Sequence, residues 1–256
     1  MPLPRSFYER SPRRVARDLL GCVLVSRAGG RLTAGRIVET EAYLGPEDEA
    51  SHAAFRPGSH ALFYGPGGVA YDFRAYGLHW CLNAIAGRRD QPGCVLIRAL
   101  EPVAGLAIMA RRRGIAAGAT RLASGPGNVT RALGVTGRDS GADLTQGRLV
   151  IEPPRAPRAL PVACGPRVGI RRAVTAPLRF WLAGSPFVSR RAPSGLERVP
   201  RHLAPERGRA AEGLRGLSRD RRDGARSAEE REIRRGDRPS TGGAKSSKRL
   251  IFLPEV

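Results

Sequence analysis

From Ser189 to Ile251 the chain contains no aromatic residue, and Phe252 is the single one beyond Arg190. That stretch is built mainly of Arg, Gly, Ser, Pro and Glu. It cannot bury enough apolar surface to offset the entropy of ordering, so residues 191–256 are expected to form a disordered, low-complexity, Arg-rich tail. The core must then be made within residues 1–190, a length suited to one domain.

The chain carries 44 basic and 23 acidic residues, a formal net charge of +21. Lysine occurs only at Lys245 and Lys248; all other basic residues are arginine. Residues 1–190 have a net charge of +14 by themselves, so the expected folded part is basic without its tail. Such an excess favours a polyanionic partner, nucleic acid before an anionic membrane surface. A coding bias towards Arg, Ala, Gly and Pro also produces basic chains, so the charge cannot carry the assignment unaided. The four cysteines, Cys22, Cys81, Cys94 and Cys164, include no CxxC pair, which argues against a zinc site. Three lie in apolar runs, as buried reduced thiols do. The N-terminus has no apolar signal core and no run reaches 18 apolar residues, so a cytoplasmic protein is expected, without a membrane partner.

The pattern before residue 190 mixes helices and strands. "SPRRVARDLLG" reads as a helix with Ser11 as N-cap, Pro12 in its first turn and a stop at Gly21. "CVLVSR", a "GG" turn and "RLTAGRIVETEAYL" read as a hairpin with a long second strand. "GVAYDFRAYG" and "CVLIRAL" read as strands, and the spacing predicts a helix from Pro102 to Arg113 ended by Gly114. Strands are also expected at "RLVIE", "RVGIRRAV" and "LRFWLAG". Strand pairs joined by short turns, with helices around them, indicate an α+β domain with an antiparallel or mixed sheet. There is no phosphate-binding GxxxxGK[ST] loop and no dinucleotide fingerprint after a strand.

Against this basic background, "RIVETEAYLGPEDEASH" places five carboxylates between Arg36 and His52. Residues two apart in a strand share a face, so Ile37, Glu39, Glu41 and Tyr43 point one way and Val38, Thr40 and Ala42 the other. A carboxylate beside an aromatic ring at a strand end suits activation of a water next to a stacked planar group. Glu47, Asp48 and Glu49 read as the solvated first turn of a short helix, where acid favours the dipole.

"GRIVETEAYLGPEDEASH" closely resembles the signature of the alkyladenine (3-methyladenine) DNA glycosylase family of base-excision repair, here a bacterial member. "RSFYERSPRRVARDLLGCVLV", "AYDFRAYGLHWCLNAIA", "CVLIRALEP", "LASGPGNVTRALGV", "GADLTQGRLVIE" and "GPRVGIRRAV…LRFWLAGSPFVSR" are similar to further family blocks in the family's order. The resemblance runs from about residue 4 to residue 190. It implies a single α+β domain, residues 1–190, with a curved, mostly antiparallel sheet surrounded by helices. It implies a monofunctional N-glycosylase that flips out alkylated purines of the 3-methyladenine type and releases them hydrolytically from double-stranded DNA, leaving an abasic site. No metal and no organic cofactor is implied, and a monomer in the bacterial cytoplasm is expected.

Residue by residue, Glu41 matches the family's general base, and Arg98 the arginine that helps hold the water and the flipped nucleotide. Tyr43 and His52 match the aromatic walls of the base pocket. Phe73 stands where an aromatic pocket tyrosine is expected, so stacking is kept and a hydroxyl is lost. Asn83 matches the residue that crowds the 2-amino group of normal guanine, and Leu96 a neighbouring hydrophobic contact. Tyr76 matches the side chain that fills the gap left by the extruded nucleotide, with Leu78 near it.

A glycosylase that also cleaves the strand attacks the sugar with an amine. Residues 1–244 hold no lysine, so no lyase activity is expected; Pro2, if Met1 is removed, is the other candidate amine. The segment "RPGSHALF" departs from the family pattern and puts some phosphate contacts in doubt. Asp72 stands where the pattern is apolar; it shares a face with Arg74, and a solvated local pair would explain it. Arg111–Arg113 reads as a solvated helix end. Two other functions compete: a catalytically silent nucleic-acid binder on this fold, and a carbohydrate-type hydrolase using Glu39 and Glu41 together.

Overall fold

The computed structural model describes residues 1–56, 58, 60–88, 92–154 and 161–190. They lie within one compact unit; a second unit, residues 206–256, falls wholly outside the described residues, as does the whole predicted tail. Among the described residues, eight strands form one antiparallel sheet: β1 (Val23–Ser26), β2 (Thr33–Tyr43), β3 (Ala70–Ala75), β4 (His79–Ala86), β5 (Gly93–Ala104), β6 (Leu149–Glu152), β7 (Val162–Gly165) and β8 (Arg179–Leu182). The order is β3-β4-β5-β2-β1-β6, with β8 paired to β2 and to β7. Six α-helices among the described residues surround it: α1 (Arg5–Tyr8), α2 (Pro12–Asp18), α3 (His52–Phe55), α4 (His60–Phe63), α5 (Leu106–Arg113) and α6 (Pro126–Leu133). The fold is α+β, as expected from the sequence. No helix among the described residues is long and apolar enough to cross a membrane, and Cys22, Cys81, Cys94 and Cys164 form no disulfide.

The local signals explain most elements. Ser11 caps α2 by accepting the Arg14 N–H, and Pro12 follows at the first helical position. The hairpin β1–β2 turns through Gly29 (φ 62°) and Gly30 (φ 70°), where a side chain would be strained. The main core packs Val15, Leu19, Ile37, Val38, Ala42, Leu82, Val95, Ile97, Val129 and Leu133 between the sheet and its helices. A second cluster, Ala53, Phe63, Tyr71, Ile85 and Cys94, covers the other face of β3–β5. Because β4 and β5 are buried on both faces, their sequences run apolar without alternation.

Three elements differ from the sequence reading. β5 continues through Glu101 and Pro102, so α5 starts at Leu106 rather than Pro102. Pro102 pairs with Gly35 beside a register shift, and Arg36 forms an ion pair with Glu101, so strand contacts override the proline signal. Gly105 (φ 70°) then turns the chain into α5. "RVGIRRAV" is a loop rather than a strand; the strand lies just upstream as β7. Finally, Arg112 and Arg113 are not merely solvated. They donate to the carbonyls of Ala132, Ala28 and Leu122 and tie α5 to its neighbours.

Gly93 opens β5 where the strand crosses α2 and the end of β2. A Cβ there would lie 2.5 Å from Pro12 Cγ and 2.7 Å from the Tyr43 carbonyl oxygen. Gly93→Ala should cost about 1–3 kcal/mol through overpacking, read as a lowered midpoint in thermal unfolding.

Candidate active site

The second half of β2, Glu39 to Tyr43, runs between β5 and β8. A register shift between Ile37 and Glu39 marks a bulge around Val38, which lets Ile37 and Val38 both enter the core. Beyond it, Glu39 and Glu41 share a face as expected, and both are fully buried. Two enclosed carboxylates require cations and donors. Arg98 of β5 donates Nε to Glu39 Oε1 (3.2 Å) and Nη1 to Glu41 Oε2 (3.3 Å). Arg179 of β8 donates Nε to the same Glu39 oxygen (2.7 Å), and the Ser189 N–H donates to Glu39 Oε2 (2.6 Å). Both oxygens of Glu39 are thus engaged. Glu39 and Glu41 lie side by side on one strand, bridged by Arg98, rather than on opposite sides of a cleft as a pair flanking a glycosidic bond requires, which argues against the carbohydrate-hydrolase alternative.

Glu41 is held differently. Its Oε1 accepts from the Val168 N–H (2.7 Å) and its Oε2 from the Tyr43 hydroxyl (2.9 Å). Burial pushes its carboxyl up, against the Arg98 charge, the Val168 N–H and the Tyr43 hydroxyl, while the Glu39 charge adds to the rise. A carboxylate of raised proton affinity, oriented by donors in its ionised form, is suited to take a proton from water.

Glu41's partners Tyr43, Arg98 and Val168 line a cavity of about 700 Å³. His52, Tyr71, Phe73, Asn83 and Leu96 line it too, and Arg56, Arg74, Arg171 and Arg172 contribute cationic surface. The structure therefore brings together every sequence-predicted pocket residue. His52 follows the cap Ser51, whose hydroxyl accepts the Ala53 N–H. Its Nδ1 lies 2.8 Å from the Tyr71 hydroxyl and its ring meets Phe73 edge-on, with centroids 4.4 Å apart. Burial, with the Arg56 charge, pushes the imidazole down to about 4, so the wall is neutral at neutral pH. Asn83 donates both amide protons to backbone, to the carbonyls of Tyr71 (3.0 Å) and Cys81 (3.3 Å), which fixes its orientation.

Tyr76 and Leu78 lie at the tip of the β3–β4 hairpin, 82 % and 72 % exposed. Tyr76 also lines the cavity, whereas Leu78 does not. Tyr76 has φ 53° and Gly77 φ 65°. A left-handed tyrosine exposed to solvent is a strained side chain held outward, a feature associated with functional sites. The hairpin is anchored behind its tip: Thr130 of α6 donates its hydroxyl to the Trp80 carbonyl (2.9 Å), and Gly127 packs against His79 so closely that a Cβ would lie 2.8 Å from it.

Two acids depart from expectation. Asp48 is buried rather than solvated, and pairs with Arg167 at 2.5 and 2.8 Å. Arg167 in turn lies 4.7 Å over the Tyr43 ring. Asp72 is also buried rather than paired with Arg74; its carboxylate has no hydrogen-bond partner among the described residues. Burial, reinforced by Asp139, pushes it up to about 8, so it is mostly neutral at pH 7. Sequence reasoning did not single out Tyr71, Arg167, Arg179 or Ser189 for the site. Tyr71 alternates with Phe73 and could have been found that way; the arginines were hidden among many. No group of three or more His, Cys, Asp or Glu among the described residues could hold a metal ion.

An antiparallel α+β sheet that encloses a carboxylate behind an aromatic cleft with arginines along it has the design of a hydrolase acting on a planar group of a polyanion. Residues 6–186 match the model of the methylpurine-DNA glycosylase (MPG) family, and the chain belongs to that family. It is a DNA glycosylase, an enzyme of DNA repair. Relatives provisionally designated 3-methyladenine DNA glycosylases occur in Koribacter versatilis, 47% identical over 73% of this chain and 93% of that protein, and in Methanoculleus marisnigri, 46% identical over 75% of this chain and 100% of that protein. Another, from Nitrosospira multiformis, is 44% identical over 74% of this chain and 95% of that protein.

Burial opposes ionisation of Asp48, but hydrogen bonds and charge from Arg167, with the Leu44 and Ala50 N–H groups, hold its carboxyl below the usual range. Its contribution to stability is present above the ordinary carboxyl pKa and is lost as pH falls through the lowered folded value. Asp48→Asn strands the Arg167 charge and should cost about 3–5 kcal/mol, measured by urea unfolding at pH 7.

Proposed function

We propose that this glycosylase is monofunctional and extrudes alkylated purines from duplex DNA into the cleft, where Glu41 activates the attacking water. The observation that carries this reading is the enclosed Glu41, oriented by Tyr43, Arg98 and Val168 behind the aromatic cleft. Extruding a nucleotide costs a few kcal/mol of stacking and pairing. Tyr76, already held outward, would fill the vacated gap and offset part of that cost. Tyr43, His52 and Phe73 would hold the extruded ring, with stacking worth about 1–3 kcal/mol per base. A positively charged alkylpurine gains cation–π attraction as well.

Hydrolysis then needs a single carboxylate. Glu41 accepts a proton from water as its oxygen bonds to the anomeric carbon, with Arg98 holding water and nucleotide. The N-glycosidic electron pair leaves with the purine and neutralises its positive charge. No oxygen leaving group requires protonation, so no second acid is needed. Asn83 and Leu96 would bound the base edge, the fixed amide crowding the 2-amino group of guanine. Arginines along the cleft, and the tail, would add salt-sensitive phosphate affinity.

Two facts support a reaction that stops at the abasic site. Residues 1–190 contain no lysine. The Leu3 N–H donates to Ile151 of β6, so Pro2 lies beside β6, with β1 between that strand and β2.

The test is base release from methylated duplex DNA, followed by alkaline cleavage. Wild type should release 3-methyladenine and leave strands intact until alkali is added. Glu41→Gln should bind lesion-containing duplex but release base about 10²–10⁴-fold more slowly. Wild type that binds without release would overturn the reading in favour of a silent binder, and strand breaks without alkali would overturn its monofunctional part. Tyr76→Gly relieves the left-handed strain, so its stability should be unchanged or raised by up to about 1 kcal/mol. Its base release from duplex should nevertheless fall, while release from single strands should change little.

A further inference from the structure

Glu39 has no place in the hydrolysis just described, yet it is the one of the two β2 carboxylates that meets two arginines. It is fully buried and receives Arg98 Nε, Arg179 Nε and the Ser189 N–H. The other two nitrogens of Arg98 go to Glu41 Oε2 and to the Ser189 hydroxyl at 3.4 Å. Arg179 Nη2 donates to the Arg190 carbonyl at 2.6 Å. The cluster therefore balances two carboxylates with two guanidinium groups, closed on one side by the Ser189–Arg190 strap.

This arrangement decides how Arg98 meets Glu41. Nε and one terminal nitrogen would otherwise be free to grip Glu41 in a two-pronged pair, which lowers a carboxylate's proton affinity. With Nε held by Glu39, Arg98 reaches Glu41 through one nitrogen only. We infer that Glu39, balanced by Arg179 and closed by Ser189, is a positioning residue that keeps Arg98 aimed at the water site while leaving Glu41 basic enough to accept a proton. The inference rests on Glu41 being the general base, and deepens that reading.

Other groups around Glu41 are common to all the variants below. Tyr43 faces it from its own strand, Arg98 from β5, Cys81 acts on it from β4, and Arg167 from the loop after β7. Only Glu39 and Arg179 are changed.

The experiment measures the pH dependence of single-turnover base release for wild type, Glu39→Gln, Arg179→Gln and the double variant, with binding to lesion-containing duplex measured alongside. The rate falls on the acid side as Glu41 is protonated. Removing the Glu39 charge should move that limb down by about one pH unit, and removing the Arg179 charge should move it up by a similar amount. The double variant restores neutrality and should return the limb close to wild type. Both single variants should release base more slowly while binding within about threefold of wild type. Where a variant is too slow to assay, ¹³C-carboxyl NMR titration of Glu41 reads the same shifts directly. Limbs that stay in place, shifts of the same sign, a double variant that is not restored, or variants that all fail to fold would overturn the inference. Wild type without base release would overturn the general-base reading and this one with it; wild type with base release but unmoved limbs would overturn this one only.

Discussion

The site depends on enclosing two carboxylates of one strand and balancing them with two guanidinium groups that are shared unequally between them. Glu39 and Glu41 are screened completely from solvent. Burial of that kind is tolerable only with fixed opposite charge and donors. Arg98 and Arg179 supply the charge from strands on either side of β2. The donors come from far along the chain: Val168 from the loop after β7 and Ser189 after β8. Strand order, the bulge in β2 and the last described segment are therefore joint conditions of a single electrostatic arrangement.

The cleft shows the same economy of design at its walls. Arg167 serves Asp48 with its donors and the Tyr43 ring with its face. Tyr71 fixes His52, which packs edge-on against Phe73. Asn83 commits its amide to backbone carbonyls. A wall locked in this way has little freedom to reorient, so under the proposed reading it would discriminate bases by shape. Strain appears at the hairpin tip instead, where Tyr76 adopts a left-handed backbone that packing behind it, from Thr130 and Gly127, over-determines.

Much of this was legible in advance because it is local. The cap at Ser11, the glycines of the β1–β2 hairpin and the alternation that sets Glu41 beside Tyr43 are all governed by neighbours a few residues away. The family resemblance added Arg98, Asn83 and His52, which periodicity alone does not reveal. Misreadings arose where a distant contact overrode a local signal. Pro102 looks like a helix start, yet pairing with β2 keeps it in a strand. Asp48 looks like a solvated cap, yet Arg167, far along the chain, buries it.

What short-range patterning fixes in this chain is the type of most elements, the shared face of Glu39 and Glu41, and the lack of lysine before the tail. These follow from residue identity and from the period of a strand. That Glu39 meets two arginines and Glu41 one follows from the pairing of β2 with both β5 and β8. That arrangement needs a charge from 140 residues away, on Arg179, and a backbone donor from 150 residues away, at Ser189. Coulomb interactions in a buried site depend on distance in space and on exclusion of water, and neither is written in any local stretch of sequence.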